Sequence, residues 1–199
     1  MKRIRIHHPG GYDSLRVEHV EDPQPAVGQV RIAVEACGVN YADGIVRMGL
    51  YASARELHGY PITPGFEVAG RIDAIGEGVD RARLGEAVIG LTLFNGYSSM
   101  ICIAADQAFP LPVGLSMAQG ASLPTVFLTA WFMVHQQLHP RGGERWLVHS
   151  AAGGVGSALV QLGRLAGCDV TGVVGAAHKL DYCRRMGAHH VIDKSSTPL

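Results

Sequence analysis

Apolar and polar residues alternate with a period of two through the first half of the chain and change to helical spacing in the second. Lys2–His7, Arg16–Val20, Gln29–Cys37, Glu67–Ile75, Ala87–Leu91 and Tyr97–Ile103 read as short strands. Between them lie Pro9-Gly10-Gly11, Pro23-Gln24-Pro25, Pro61–Gly65, Gly76-Glu77-Gly78 and Asn95-Gly96, residues that supply the fixed or positive φ angles of turns. Short strands punctuated in this way predict a β-rich lobe, a small barrel or sandwich, over residues 1–115.

Near Ser116 the texture changes. Ser116-Met-Ala-Gln119 has the spacing of a capping box, and the helical stretch behind it is interrupted at Pro124. Val126–Leu138 reads as an apolar helix, Trp146–His149 as a buried strand, and Gly154–Ala166 as a helix closed by Gly167. Val170–Val174, Ala177–Met186 and His190–Asp193 continue as strand, helix and strand. The order β-α-β-α-β predicts parallel strands with right-handed crossovers, so 116–199 is expected to be a partial dinucleotide-binding domain of Rossmann type. Three strands are half of a doubly wound sheet. The sheet is therefore expected to be truncated at its third strand, with an open edge there, as in a fragment or a chain whose edge something else covers.

Composition narrows the class. Hydrophobic residues make up 47% of the chain and charged residues 17%, which suits a folded core and excludes disorder. Seventeen basic residues balance seventeen acidic ones, so no net field attracts nucleic acid or an anionic membrane. Ala87–Ala105 carries Asn95-Gly96 and Ser98-Ser99 at its centre, and Gln107–Val134 is broken by Pro110, Pro112 and Pro124, so neither reads as a span. Cys37, Cys102, Cys168 and Cys183 form no CxxC pair, and no HExxH pair occurs. Reduced thiols in a cytoplasmic protein are the expectation, with no metal site.

The most informative segment is Trp146-Leu-Val-His-Ser-Ala-Ala-Gly-Gly-Val-Gly156. A strand runs into Ala151-x-Gly153-x-x-Gly156 and a helix leaves it, which is the G-x-G-x-x-G dinucleotide turn with alanine in its first place. Ala151, Gly153, Gly154, Val155 and Gly156 would bring backbone N–H groups to a pyrophosphate at the helix start. An NAD-binding turn has a carboxylate about 20 residues on, at the end of the second strand. Here that place holds Gly175, followed by Ala176-Ala177-His178-Lys179. Small residues leave room for a 2′-phosphate and Lys179 would neutralise it, so NADPH is preferred over NADH.

The chain resembles the medium-chain dehydrogenase/reductases, in the zinc-independent quinone oxidoreductase (zeta-crystallin) branch with its VAT-1-like relatives. The resemblance rests on Ala36-Cys-Gly-Val-Asn-Tyr-Ala-Asp43, Arg47-Met-Gly-Leu-Tyr51, Pro64-Gly-Phe-Glu-Val-Ala-Gly70, Leu128-Thr-Ala130 and Val148-His-Ser-Ala-Ala-Gly-Gly-Val-Gly156. It implies a GroES-like first lobe followed by a Rossmann domain, and NADPH-dependent hydride transfer to a quinone or α,β-unsaturated carbonyl. Where the zinc branch has its ligand cysteine and histidine, this chain has Asn40 and Phe66. Phenylalanine cannot ligate a metal and neutral asparagine is a poor zinc ligand. Without a metal, hydrogen-bond donors polarise the acceptor, and conjugation carries charge to a distant oxygen.

The resemblance also implies roles for particular residues. Asn40 would hydrogen-bond the nicotinamide ribose or the substrate oxygen, or cap the next helix. Tyr51 would orient or protonate the substrate, or be an ordinary half-buried tyrosine. Tyr41 would line the same site, and Thr129 would lie beside the nicotinamide. Asp43 reads as a helix-start residue rather than a base. A homodimer is expected from the family alone. Two other readings stay open: a truncated or VAT-1-like nucleotide-binding protein acting through a partner, and an enoyl-thioester reductase domain of a larger synthase.

Overall fold

The computed structural model describes residues 1–196, so the last three residues of the expected second domain lie outside the described residues. The chain divides into two units, Met1–Thr125 and a second that begins at Val126.

In the first unit, β1 (Lys2–Ile6) and β2 (Leu15–His19) form an antiparallel pair. Strands β3 (Gln29–Cys37), β4 (Glu67–Ile75), β5 (Ala87–Leu91), β6 (Met100–Ala104) and β7 (Ala108–Pro110) form an antiparallel sheet in the order β6-β3-β4-β5-β7. Alternation does what the sequence pattern predicts. Val30 and Ile32 of β3 are fully buried and meet Val68, Ile72, Val88, Ile101 and Ile103 in one core. Arg31, between them, turns outward and bonds the Asp73 carboxylate at 2.8 Å. The expected β-rich lobe is thus present as a five-stranded sheet whose pairing ends at β6 and β7. Strand β7 escaped the sequence pattern because it has three residues and ends in Pro110, a residue tolerated only at a sheet edge.

Residues between β3 and β4 are helical, which the strand-and-turn pattern did not anticipate beyond a helix start at Asn40. Helices α1 (Tyr41–Arg47) and α2 (Ala52–Leu57) have seven and six residues, too few turns for a 3.6-residue period to show. The capping box at Ser116 is present: Gln119 N–H donates to Ser116 Oγ at 3.3 Å, and Ser116 N–H to Gln119 Oε1 at 2.9 Å. Helix α3 (Met117–Ala121) then packs on β3 and β4, with Gly120 against Ile89 and Ala69. The units therefore divide at Thr125/Val126 rather than at 115/116. The change from strand to helix in the sequence marks a change of element, and α3 still belongs to the first core.

Helix α4 (Pro124–Phe132) takes Pro124 as its first residue, where a missing N–H costs nothing, and it widens into a π-helix over Met133–Leu138. In the second unit, β8 (Arg145–Val148), α5 (Gly154–Leu165), β9 (Asp169–Val174), α6 (Leu180–Arg185) and β10 (His190–Asp193) follow in the predicted order. Both strand pairs are parallel, and the order β10-β9-β8 places β9 in the centre. Among the described residues β10, the expected third strand, and β8 are therefore the two outer strands of this sheet. Beside β8 runs an apolar groove of about 330 Å³ that includes Leu138, Trp146 and Leu147. Behind the sheet, Val148, Ala151, Val160, Val170 and Cys183 form the core of this unit. Among the described residues no helix is long and apolar enough to cross a membrane.

Candidate nucleotide-binding and catalytic residues

The turn after β8 is shaped by its own carbonyls. Ser150 adopts a positive φ of 52°, and its carbonyl accepts from Gly153 N–H at 2.8 Å. Ala151 is fully buried and donates its N–H to Val173 at 3.0 Å, which ties the turn to β9. Gly153 is then the N-cap of α5, whose first-turn N–H groups, on Gly154, Val155 and Gly156, have no partner one turn earlier in the helix. A Cβ on Gly156 would stand 2.2 Å from the Ser150 oxygen. Only glycine lets the helix start this close to the strand.

A cavity of about 240 Å³ opens beside the turn and is lined by Ser150, Gly153, Val174, Gly175, Lys179 and Lys194, among others. Three of the residues singled out in the sequence, Gly153, Gly175 and Lys179, meet there. Ala151 lies behind it in the core, while Gly154, Val155 and Gly156 form the first turn of α5. Among the described residues no carboxylate lines the cavity. Asp193, at the end of β10, is turned toward Ser195, whose N–H and hydroxyl donate to it at 2.9 and 2.7 Å and hold its pKa below the ordinary carboxylate value. Lys194 was not anticipated. It follows β10, which pairs with β9, and its side chain reaches Gly175 with Cε 3.7 Å from the place of a Cβ. Only the pairing of the third strand with the second brings it there. Thr129 is exposed on α4 of this unit.

In the first unit, Asn40 and Tyr41 line a second cavity, of about 480 Å³, with Asp43, Arg47, Pro64 and Tyr97. Asp43 is buried and accepts three donors: Asn40 N–H at 2.8 Å, Gly65 N–H at 3.0 Å and the Tyr97 hydroxyl at 2.9 Å. Burial raises its pKa although these bonds oppose the shift, and burial together with the Asp43 charge raises that of Tyr97. Its bond to the Asn40 N–H is the helix-start role expected of Asp43. Tyr97 enters this network from the loop before β6 and carried no signal in the sequence. Tyr51 lies elsewhere. Its ring stands 5.8 Å from Phe66 and 6.2 Å from Phe94, in an aromatic cluster under α1 and α2.

The positions that hold zinc in the wider family do not suit a metal here. Phe66 belongs to that aromatic cluster, and the Asn40 amide nitrogen is bonded to the Glu67 carboxylate at 2.8 Å. Among the described residues no group of three or more His, Cys, Asp or Glu side chains is arranged to hold a metal ion.

Residues 26–134 match the family model described as the alcohol dehydrogenase GroES-like domain, and residues 154–198 that described as zinc-binding dehydrogenase. The chain is 32% identical over 194 residues to the phthioceranic/hydroxyphthioceranic acid synthase of Mycobacterium tuberculosis, covering 98% of this chain and 9% of that one. It is 36% identical over 195 residues to the quinone oxidoreductase of Rattus norvegicus, covering 97% of this chain and 58% of the relative. Among solved structures, Escherichia coli quinone oxidoreductase complexed with NADPH superposes with a TM-score of 0.89 at 30% identity, over 99% of this chain and 60% of that one. The chain thus spans a little over half of the quinone oxidoreductases it matches, and a small part of the synthase. The matched models, the antiparallel lobe and the parallel β-α-β-α-β unit together place the chain in the medium-chain dehydrogenase/reductase family, among the relatives of the quinone oxidoreductases.

Proposed function

We propose that the protein is an NADPH-dependent oxidoreductase that transfers hydride to a quinone or an α,β-unsaturated carbonyl without zinc. The observation that carries this reading is the cavity beside the α5 turn, where Lys179 and Lys194 stand with Gly175 and, among the described residues, no carboxylate. A 2′-phosphate would meet two cations there, while a free ribose hydroxyl would find no acceptor carboxylate.

NADPH supplies the hydride when bound. The chain's own residues do the rest. The N–H groups of Gly154, Val155 and Gly156 receive the pyrophosphate, and Lys179 and Lys194 neutralise the 2′-phosphate. Thr129 is assigned to the nicotinamide end of this unit. On the first unit, Asn40 contacts the nicotinamide ribose or the substrate, Tyr41 lines the substrate, and Tyr51 orients it through a ring held by Phe66 and Phe94. The substrate anion left by hydride addition takes its proton from water or a side chain. A homodimer in the cytoplasm belongs to the same reading, and sedimentation checks the assembly.

Similarity to the phthioceranic/hydroxyphthioceranic acid synthase favours a second reading, reduction of an enoyl thioester, which needs the same hydride chemistry. Thermal unfolding with NADPH, NADH or neither tests the cofactor. Ligand at 100 times its Kd stabilises the fold by about 2.7 kcal/mol. A shift with NADPH and none with NADH is expected; equal shifts would remove the role of the two lysines.

A further inference from the structure

Helix α1 carries a glycine that no neighbour requires. Gly44 sits inside the helix, where its backbone freedom weakens the element relative to alanine. Close contact accounts for Gly156, but a Cβ on Gly44 would meet nothing within 4 Å beyond its chain neighbours and its own helix backbone. Gly44 lines the 480 Å³ cavity of the first unit. A helix that needed only stability would carry alanine there.

The walls of this cavity are apolar and aromatic, and much of them is left in water. Tyr12 is 83% exposed, Tyr41 87% and Val39 80%. One cation, Arg47, stands among them. Its guanidinium lies 4.6 Å from the centre of the Tyr12 ring. Its Nη1 donates to the Gly10 carbonyl, and Gly10 N–H donates to the Arg47 carbonyl at 3.0 Å, so the segment before Tyr12 is clamped to α1 and the charge is held in place. Among the described residues no carboxylate pairs with Arg47. Asp43, which lines the cavity too, has its oxygens taken by Asn40 N–H, Gly65 N–H and the Tyr97 hydroxyl. A fixed cation without a counter-anion, between aromatic side chains and beside a gap in a helix, suits a flat ring that bears an acidic group.

We propose that this cavity is a binding site for a small aromatic anion, with Arg47 as its countercharge, Tyr12 and Tyr41 as the rings beside it and Gly44 as the gap that admits it. The site lies within the first unit and needs neither NADPH nor hydride transfer.

The test titrates 2-naphthalenesulfonate and its neutral isostere 2-naphthalenesulfonamide calorimetrically into the full chain without nucleotide. Wild type should bind the sulfonate about tenfold more tightly, the advantage of a charge-assisted hydrogen bond over a neutral one. In ¹H–¹⁵N spectra the sulfonate should shift the Gly44 and Tyr41 amide resonances. R47Q, whose side-chain amide can still donate to Gly10, should lose the preference, and R47K, which keeps the charge, should retain most of it. G44L fills the gap and should weaken both probes more than tenfold. Its unfolding midpoint should not fall, because leucine favours a helix over glycine; if G44L unfolds, R47Q against R47K decides.

Equal affinity of wild type for the two probes, a preference that survives R47Q, or a folded G44L protein that binds as wild type does overturns the proposal. Binding of neither probe at millimolar concentration also overturns it, and dimers that G44L dissolves would then give the cavity to a second copy of the chain. The NADPH shift tests the hydride reading separately, so either can fail alone.

Discussion

The Gly156→Ala substitution tests the nucleotide turn most directly. A Cβ there would lie 2.2 Å from the Ser150 oxygen, 2.8 Å from its carbonyl carbon and 3.0 Å from Ala151 Cα. These are backbone atoms, and Ala151 is tied to β9 through Val173, so no side chain can swing aside. To reach even 3.0 Å, the start of α5 must withdraw by roughly 0.8 Å. Overpacking of this kind costs about 1–3 kcal/mol. Alanine's helix propensity returns at most about 1 kcal/mol over glycine. The net expectation is a loss of about 1–2 kcal/mol, read by urea denaturation of the variant against wild type. The same withdrawal moves the N–H groups that would hold the pyrophosphate, and displacements near 1 Å cost about 100-fold where positioning matters. NADPH titration should therefore show a loss of about 10- to 100-fold. Gly154→Ala is the control, because its Cβ meets only the Val126 Cγ1 end at 2.7 Å, a side chain able to yield. A G156A protein as stable as wild type and equally tight for NADPH, or a G154A protein harmed more than G156A, would refute the reasoning.

Lys194→Ala and Lys179→Ala should each weaken NADPH about 3- to 10-fold, since each removes one charge-assisted contact to the 2′-phosphate, and should leave NADH unchanged; titration of both nucleotides decides it. Gly38→Ala should destabilise the first unit by about 3 kcal/mol, because its Cβ would strike the Glu67 carboxylate and the Ala121 carbonyl, and thermal unfolding reads the loss. Burial raises the pKa of the Cys168 and Cys183 thiols, so a smaller fraction is thiolate at any given pH than for a free thiol. Iodoacetamide at pH 8 should spare both in the folded protein and label both after denaturation, as peptide mass spectra would show; fast labelling of the native protein would contradict their burial.

Much of the molecule could be read from local pattern. Strand-forming residues between turn residues located β3, β4 and β5 at their true limits; β3 alternates between buried and partly exposed positions, whereas β4 and β5 each carry a run of consecutive buried residues. The β-α-β-α-β order was equally legible, since its helices are closed by Gly167 and Gly187, both at positive φ. Short elements were not legible: α1 and α2 have too few turns to show a period, and β7 has three residues. The domain boundary was read at 115/116 because residue type changes there, yet α3 packs backward onto β3 and β4.

The candidate sites divide along the same line. The α5 turn is contiguous in sequence, and its glycines carry the steric requirement with them, so Gly153 and Gly156 were recognisable in isolation. Lys194 stands near Gly175 only because β10 adds beside β9. Asn40 and Glu67, 27 residues apart, meet only because β3 and β4 pair in one register, and Tyr97 reaches Asp43 across 54 residues. Local sterics and periodicity are written into neighbouring residues. Which polar groups share one buried space depends on strand pairing across long separations, and that was decided by the tertiary structure.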